Sequence, residues 1–429
     1  MAASSSRGRN VMPAAFLPQA ANYSIETESF SLDELKRILI EPESHELRTH
    51  AFYLGKELSA RLKRFIHVGV LEPATDPLQC IGLSMLTRKM FLGTEGYDLD
   101  VKKEVAFISA PSEVGIIRGI HSFLGLVDIA LAGDRQITTC RALDKPWLPW
   151  RAVFLDASYS TPPIEWLRRF VDALARLRVR TLRLALPVGD PPAYDPHDLK
   201  GLLSYGLTRH VDISAEPGGV SIDEDPTFMR LVRTVRDTAD GADSTAMRVE
   251  QLGPEPNMLI PSVDWIYSLD PKVGLDEDSG QQIAGLELWI RMVPGIPLQL
   301  WEQSVMTRLA AFAELAWTPF PMRNFMDFRN RLGSYFQSLD RLNFDYDVPP
   351  PAGMPDRIEF EEKAAFELVP PFPGASVVYT IDGADPGPQS PVADKPLFIE
   401  RTCVVKAQTR AMSGKYSAVV ATHFEKLPS

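Results

Sequence analysis

The spacing of apolar positions changes character along the chain, and the changes divide it. In the first part FSLDELKRILI offers Ser31 as an N-cap with Glu34 three residues later, the reciprocal pattern that opens a helix. HELRTHAFYLGKELSARLKRFIHVGV continues with apolar residues three and four apart, KKEVAFISA alternates as a strand does, and GIIRGIHSFLGLVDIAL returns to helical spacing. This mixture predicts an α+β domain over residues 24–145, closed by the Pro and Trp cluster KPWLPW.

Beyond that cluster short apolar runs alternate with amphipathic ones. AVFLDAS, TLRLALP and HVDISAE read as strands, and IEWLRRFVDALARL and DLKGLLSYGLTR as the helices between them. QQIAGLELWI is a further strand, followed by the helical VMTRLAAFAELAW and NFMDFRNRLGSYFQSLDRL. Alternating β and α segments bury a parallel sheet under helices, open or closed into a barrel, and this region spans 146–346. A Pro-rich linker at 347–356 leads to residues 357–429, where alternating β-branched segments and Asp-Gly and Ser-Gly turns predict a small all-β sandwich of immunoglobulin or fibronectin type.

The first 23 residues carry no periodic pattern and no sustained apolar stretch of a secretory leader, so a flexible tail is expected and the compartment stays open. No run approaches the ~18 apolar residues of a membrane span, so no transmembrane segment is expected. A net charge of −11 opposes binding to phosphate backbones, which excludes nucleic acid as an expected partner. Cys80, Cys140 and Cys403 lie far apart without the spacing of zinc or redox pairs; they read as core residues, and neither a metal nor a cofactor is expected.

Four stretches, in order, carry a resemblance to a known family. TEGYDLDV with ISAPSEVGIIRGIHSFLGLV is similar to the non-catalytic α+β domain of family 20 glycoside hydrolases, the β-N-acetylhexosaminidases and chitobiases. PWRAVFLDASYSTPPIEWLRRFVDALARLRVRTLRLALP resembles that family's first barrel strand and helix. IAGLELWIRMV with MTRLAAFAELAWTP resembles its last strand and helix, and VVYTIDGADP resembles the C-terminal sandwich of chitobiase-like members. The fold implied is α/β: a (β/α) TIM-type barrel with an α+β domain before it and a β-sandwich after it.

The same resemblance defines what is missing. In the family the substrate's acetamido oxygen attacks the anomeric carbon, an Asp orients the acetamido group, and the adjacent Glu protonates the leaving oxygen, both within an HxGGDE run after the fourth strand. None of the seven histidines, His45, His50, His67, His121, His197, His210 and His423, begins such a run. Of the adjacent acidic pairs, Asp33-Glu34 reads as a helix start and Asp276-Glu277 as a polar loop. Asp223-Glu224 precedes a helical pattern, where acidic caps are favoured; it is the weak candidate for a displaced catalytic pair. Trp150 to Asp340 is about 190 residues, against roughly 250 for a complete barrel, so two or three βα units are expected to be absent between HVDISAEPGG and VDWIYSLDP.

The resemblance matches Arg151 to an arginine that grips sugar hydroxyls and Asp156 to the Asp of the first strand. Arg151 has a second reading, a structural arginine paired with Glu287. The last strand reads Trp289-Ile290-Arg291 where the family has Trp-x-Glu, whose Trp lines the acetamido pocket and whose Glu binds sugar hydroxyls. The resemblance thus makes Trp289 a substrate-binding candidate and puts an arginine in place of the Glu, while Tyr159 stands where many members have Arg. Trp265, Tyr267 and Trp301 are candidates for stacking on a sugar ring or for core positions. Three functions follow as expectations: a catalytically degenerate homologue acting as a structural or interaction subunit, with a protein partner or second copy covering the open barrel; an active β-N-acetylhexosaminidase with relocated acids; or a module that binds N-acetylhexosamine glycans.

Overall fold

In chain order the first elements are β1 (Asn22–Ser31), β2 (Arg37–Ile40), α1 (His45–Leu62), β3 (His67–Val70), β4 (Cys80–Met85), β5 (Tyr97–Val101), β6 (Val105–Ala110), α2 (Glu113–Ala132) and β7 (Gln136–Asp144). The computed structural model of the chain describes residues 16–42, 44–71, 78–189, 193–217, 229–237, 247–252, 260–275 and 281–428. The strands form one mixed sheet in the order β1-β7-β5-β6-β4-β2-β3, with α1 and α2 packed on it. The helix expected at FSLDELKRILI is instead the end of β1 and all of β2. Phe30, Leu32, Leu35 and Ile38 are fully buried there, and pairing of β1 with β7 and of β2 with β3 and β4 outweighs the local capping signal. Residues 16–23, expected within the flexible tail, are held: Phe16 and Ala20 lie in the core, and the Gln19 N–H donates to Glu314 Oε2 at 3.0 Å.

α2 is the central helix of this part. Ser112 caps it by accepting from Gly115 N–H at 3.2 Å, and Gly119 lets it lie close on β6, since a Cβ there would meet Ile108 Cγ2 at 2.5 Å. By length and composition α2 is apolar enough to cross a membrane, contrary to the expectation from run length, but most of it is buried here as a core helix.

β8 (Trp150–Asp156), α3 (Ile164–Arg176), β9 (Thr181–Leu186), α4 (Pro196–Thr208) and β10 (Asp212–Pro217) follow the expected alternation. Then come β11 (Met229–Asp237), β12 (Met247–Leu252), the short α5 (Val263–Ser268), β13 (Gln281–Arg291) and α6 (Leu298–Trp317). The second sheet runs β10-β9-β8-β13-β11-β12. β10, β9, β8 and β13 are parallel, so the first and last strands of the region are neighbours, as barrel closure would require. Gly285 permits that pairing, because a Cβ would meet Trp150 O at 2.4 Å. On the other side of β13 lies an antiparallel hairpin, β11 with β12. Among the described residues the sheet does not close. Its four parallel strands leave a larger deficit than the two or three units inferred from length, because the hairpin takes up chain without adding a parallel strand.

A buried ionic network joins the two sheets. Glu95, just before β5, accepts from Arg118 of α2 at 3.2 Å and from Arg151 of β8 at 2.5 Å. Asp144, ending β7, accepts from Arg178 at 2.7 Å, from the Tyr97 hydroxyl at 2.9 Å and from Trp317 Nε1 at 3.1 Å. Arg178 also donates to Tyr97 Oη and Ser122 Oγ, and its guanidinium lies 4.6 Å from the Trp317 ring. Glu95 and Asp144 are at most 5% exposed, and Arg118, Arg151 and Arg178 at most 1%.

The second compact unit runs from Met326 to the C-terminus. It opens on α7 (Phe325–Arg341), the helix expected to end the barrel. Phe336 of α7 stacks on Tyr346 at 4.3 Å and meets Phe372 edge-on at 5.2 Å, so within this unit α7 packs beside the all-β part. There β14 (Arg357–Phe360), β15 (Ala364–Phe366), β16 (Ser376–Thr380), β17 (Leu397–Ile399), β18 (Cys403–Arg410) and β19 (Val420–Lys426) form sheets ordered β14-β19-β18-β16 and β15-β17 around Phe360, Phe366, Val377, Val405 and Phe424.

Burial alone would raise the Glu95 carboxyl, but Arg118 and Arg151 overcome it and hold it below the usual carboxylate range. A lowered value contributes stability that is present above the unfolded value of ~4.3 and lost as pH falls through the folded one. Glu95→Ala should cost about 3–5 kcal/mol in denaturant unfolding at pH 7, since it strands buried arginines. Glu95→Gln should show a flatter loss of midpoint between pH 5 and 3 than the parent chain. Equal slopes would contradict the assignment.

Candidate functional site

Parallel strands bring their C-terminal ends to one rim, and two of those ends meet. Asp156 closes β8 and Arg291 closes β13, paired in register. Arg291 Nε donates to Asp156 Oδ2 at 3.0 Å, and the Ser158 N–H (3.1 Å) and hydroxyl donate to Oδ1. Asp156 is 2% exposed and Arg291 6%. The arginine standing where the resemblance implies a sugar-binding Glu thus neutralises the Asp beside it.

Trp301, in the first half of α6, donates from Nε1 to Arg291 O at 3.0 Å and packs edge-on against Trp166 at 5.4 Å. Trp166 in turn donates to Glu302 at 2.7 Å. Of its two readings, Trp301 occupies the core one, 1% exposed.

Arg151 sits at the opposite, N-terminal end of β8. Its guanidinium donates to Glu95 and to the carbonyls of Leu148, Pro149 and Arg178, and it lies 5.1 Å from the Trp317 ring. Of the two readings of Arg151, this is the structural one, but with Glu95 as partner rather than Glu287. The reason is register: side chains alternate along β8, so Arg151 points to the helix-covered side and Ala152, Phe154 and Asp156 to the other.

On that other face Glu287 is buried among different partners. Arg183 of β9 donates to both Glu287 oxygens at 3.2 and 3.3 Å and to Glu216 of β10 at 3.2 Å. Half-buried Trp289 donates to Glu287 Oε2 at 2.5 Å, with its ring 4.6 Å from Phe154. Burial pushes the Glu287 carboxyl above the usual range, and Arg183 and Trp289 only partly oppose it. Arg183 and Glu216 were not among the candidates; the signal for them was a charge at alternate positions of TLRLALP and DISAEP, the polar side of otherwise apolar strands.

Trp265 and Tyr267 lie apart from this rim. α5, capped by Ser262, carries both into a cleft of about 780 Å³ lined also by Asp264, Phe320, Arg323 and Phe325. Tyr267 donates to Glu314 at 2.7 Å, one turn of α6 before Trp317, and so near the N-terminal ends of the strands where Trp317 meets Arg151. Asp223 and Glu224 lie outside the described residues.

Three kinds of likeness bear on this arrangement. Residues 358–422 match the profile of the Chitobiase/beta-hexosaminidase C-terminal domain. A beta-hexosaminidase of Porphyromonas gingivalis is 33% identical over 151 residues, covering 32% of this chain and 19% of that protein. One of Akkermansia muciniphila is 27% identical over 155 residues, covering 29% and 31%. The solved N-acetyl-beta-hexosaminidase of Streptomyces plicatus, in complex with Thio-NAglucal, superposes at TM-score 0.60 and 15% identity over 79% of this chain and 97% of that one. The chain is similar to the family 20 β-N-acetylhexosaminidases. It spans about a fifth of the length of the P. gingivalis relative and about a third of the A. muciniphila one.

Within that family's architecture, the rim where a barrel gathers its reacting groups is here closed by an ion pair. Arg291→Glu sets a second carboxylate beside buried Asp156 and should lower unfolding stability by at least about 3 kcal/mol. An unchanged denaturation midpoint would show that the pair is not formed.

Proposed function

We propose that the chain is a catalytically degenerate β-N-acetylhexosaminidase relative that serves as a structural or interaction subunit. The observation that carries this reading is the Asp156–Arg291 pair: the first-strand Asp is buried against an arginine instead of standing open to a sugar. The absence of an HxGGDE run from the whole sequence, and the burial of Arg151 in the ionic network, point the same way. Without the acidic pair of an HxGGDE run, substrate-assisted hydrolysis lacks the two protein groups that orient the acetamido group and protonate the leaving oxygen in that family.

The interaction role is supported by the second sheet. Among the described residues no strand pairs with the outer side of β10 or of β12, and unpaired strand edges are normally covered or charged. A second copy or another protein laid along one of these edges would satisfy those backbone groups.

One observation favours an active enzyme instead. Glu287, raised by burial, and Glu216 share Arg183 on the face that a barrel would enclose, beside the half-buried Trp289. An upward shift is the direction a general acid requires.

Both readings meet in one assay, p-nitrophenyl N-acetylglucosaminide with the purified full chain across pH 4 to 8, run alongside light scattering. The proposal predicts no nitrophenol release above buffer, and a dimer or a co-purifying protein. Turnover abolished by Glu287→Gln would establish the enzyme. A monodisperse monomer with no bound chain would remove the interaction role.

A further inference from the structure

Three side chains that share no sequence motif converge where the α+β part meets the start of β10. His50 lies in the second turn of α1, Glu113 is the first residue of α2, and His210 follows α4 in a left-handed backbone conformation, φ 52°. His50 Nε2 is 3.0 Å from Glu113 Oε2, and the His50 and His210 rings are 5.2 Å apart. One ligand atom from each of the three lies within 4.8 Å of the others.

We propose that His50, Glu113 and His210 form a zinc site. Two imidazoles and one carboxylate are a recurrent three-residue zinc set, and imidazole nitrogen selects against magnesium and calcium, which take oxygen. Tetrahedral zinc with bonds of about 2.0–2.1 Å places neighbouring ligand atoms roughly 3.3–3.4 Å apart. The His50–Glu113 pair already stands near that spacing, no separation within the set exceeds 4.8 Å, and binding would draw the remaining ligand in by that difference. Glu113 and His210 are partly exposed, which leaves the ion a path from solvent, whereas His50 is buried and anchors the set.

The surroundings hold the ligands in place. Arg118 donates to the His210 carbonyl at 3.4 Å, and its charge is balanced by Glu95 at 3.2 Å. Bound zinc would tie α1, α2 and the turn into β10 together, and three protein ligands leave a fourth position for water. This site is independent of the hydrolase question.

The test uses the full chain, stripped with a chelator and titrated with zinc chloride by calorimetry, with thermal unfolding read in parallel. Expected are one zinc per chain and a midpoint that rises with zinc concentration. His210→Asn, which tolerates the left-handed backbone, and Glu113→Gln should each weaken binding at least about tenfold while the metal-free midpoint stays put. His67→Asn and His423→Asn, at exposed histidines elsewhere, should leave binding unchanged. If His210→Asn fails to fold, the partly exposed Glu113→Gln decides. No saturable zinc binding, or binding unaffected by Glu113→Gln and His210→Asn, would overturn the site.

Discussion

Two buried carboxylates, Glu95 and Asp144, hold the first unit together by collecting arginines from both of its sheets. Arg118 comes from the helix on the first sheet, Arg151 from the opening strand of the second, and Arg178 from the turn between α3 and β9. Desolvating five charges is costly, and the cost is offset only when each is hydrogen-bonded with good geometry. The N-terminal stretch, the KPWLPW segment and the end of α6 all converge on this network: Ala21 N–H donates to Asp144 at 2.9 Å, Trp147 N–H to Trp317 O at 2.8 Å, and Trp317 stacks on Arg178. With the base fixed this way, the neighbouring strands β8 and β13 are positioned at one end whatever happens at the other.

That asymmetry makes the base of the second sheet independent of its rim. A barrel separates its stabilising end from its reactive end, so substitutions at the rim leave the base intact. Here the rim carries Asp156 locked to Arg291, and the neighbouring inward face carries Glu287 locked to Arg183 and Trp289. Among the described residues both of these carboxylates, Asp156 and Glu287, are paired with an internal cation.

Much of the architecture was legible in the sequence because it is written in local periodicity. The alternation from AVFLDAS to HVDISAE, the helices α2 and α6, and the β-branched C-terminal segments each appear where their spacing places them. What was not legible depends on contacts between distant residues. Ser31 and Glu34 satisfy a capping pattern, yet β1 pairs with β7, more than 100 residues away, and that pairing decides the element. The β11–β12 hairpin did carry a turn signal, Asp240-Gly241, but the segment after Asp223-Glu224 was expected to be helical, and it is the strand pairing of β11 with β13 that decides the element. On its structural reading Arg151 was expected to pair with Glu287, but it pairs with Glu95 and Glu287 with Arg183, because which face of a strand each occupies follows from register, which no single strand reveals.

Substrate-assisted hydrolysis passes through a ring closed by the substrate's own acetamido oxygen, and an enzyme built for it binds a mimic of that ring far more tightly than the sugar itself. The most direct measurement is therefore calorimetric titration of the full chain with the thiazoline analogue of N-acetylglucosamine. A chain whose first-strand Asp is spent on Arg291 should give no saturable heat below about 1 mM ligand. Saturable binding in the micromolar range or tighter would mean that the acetamido pocket survives, and would contradict the reading of this fold as a silent relative.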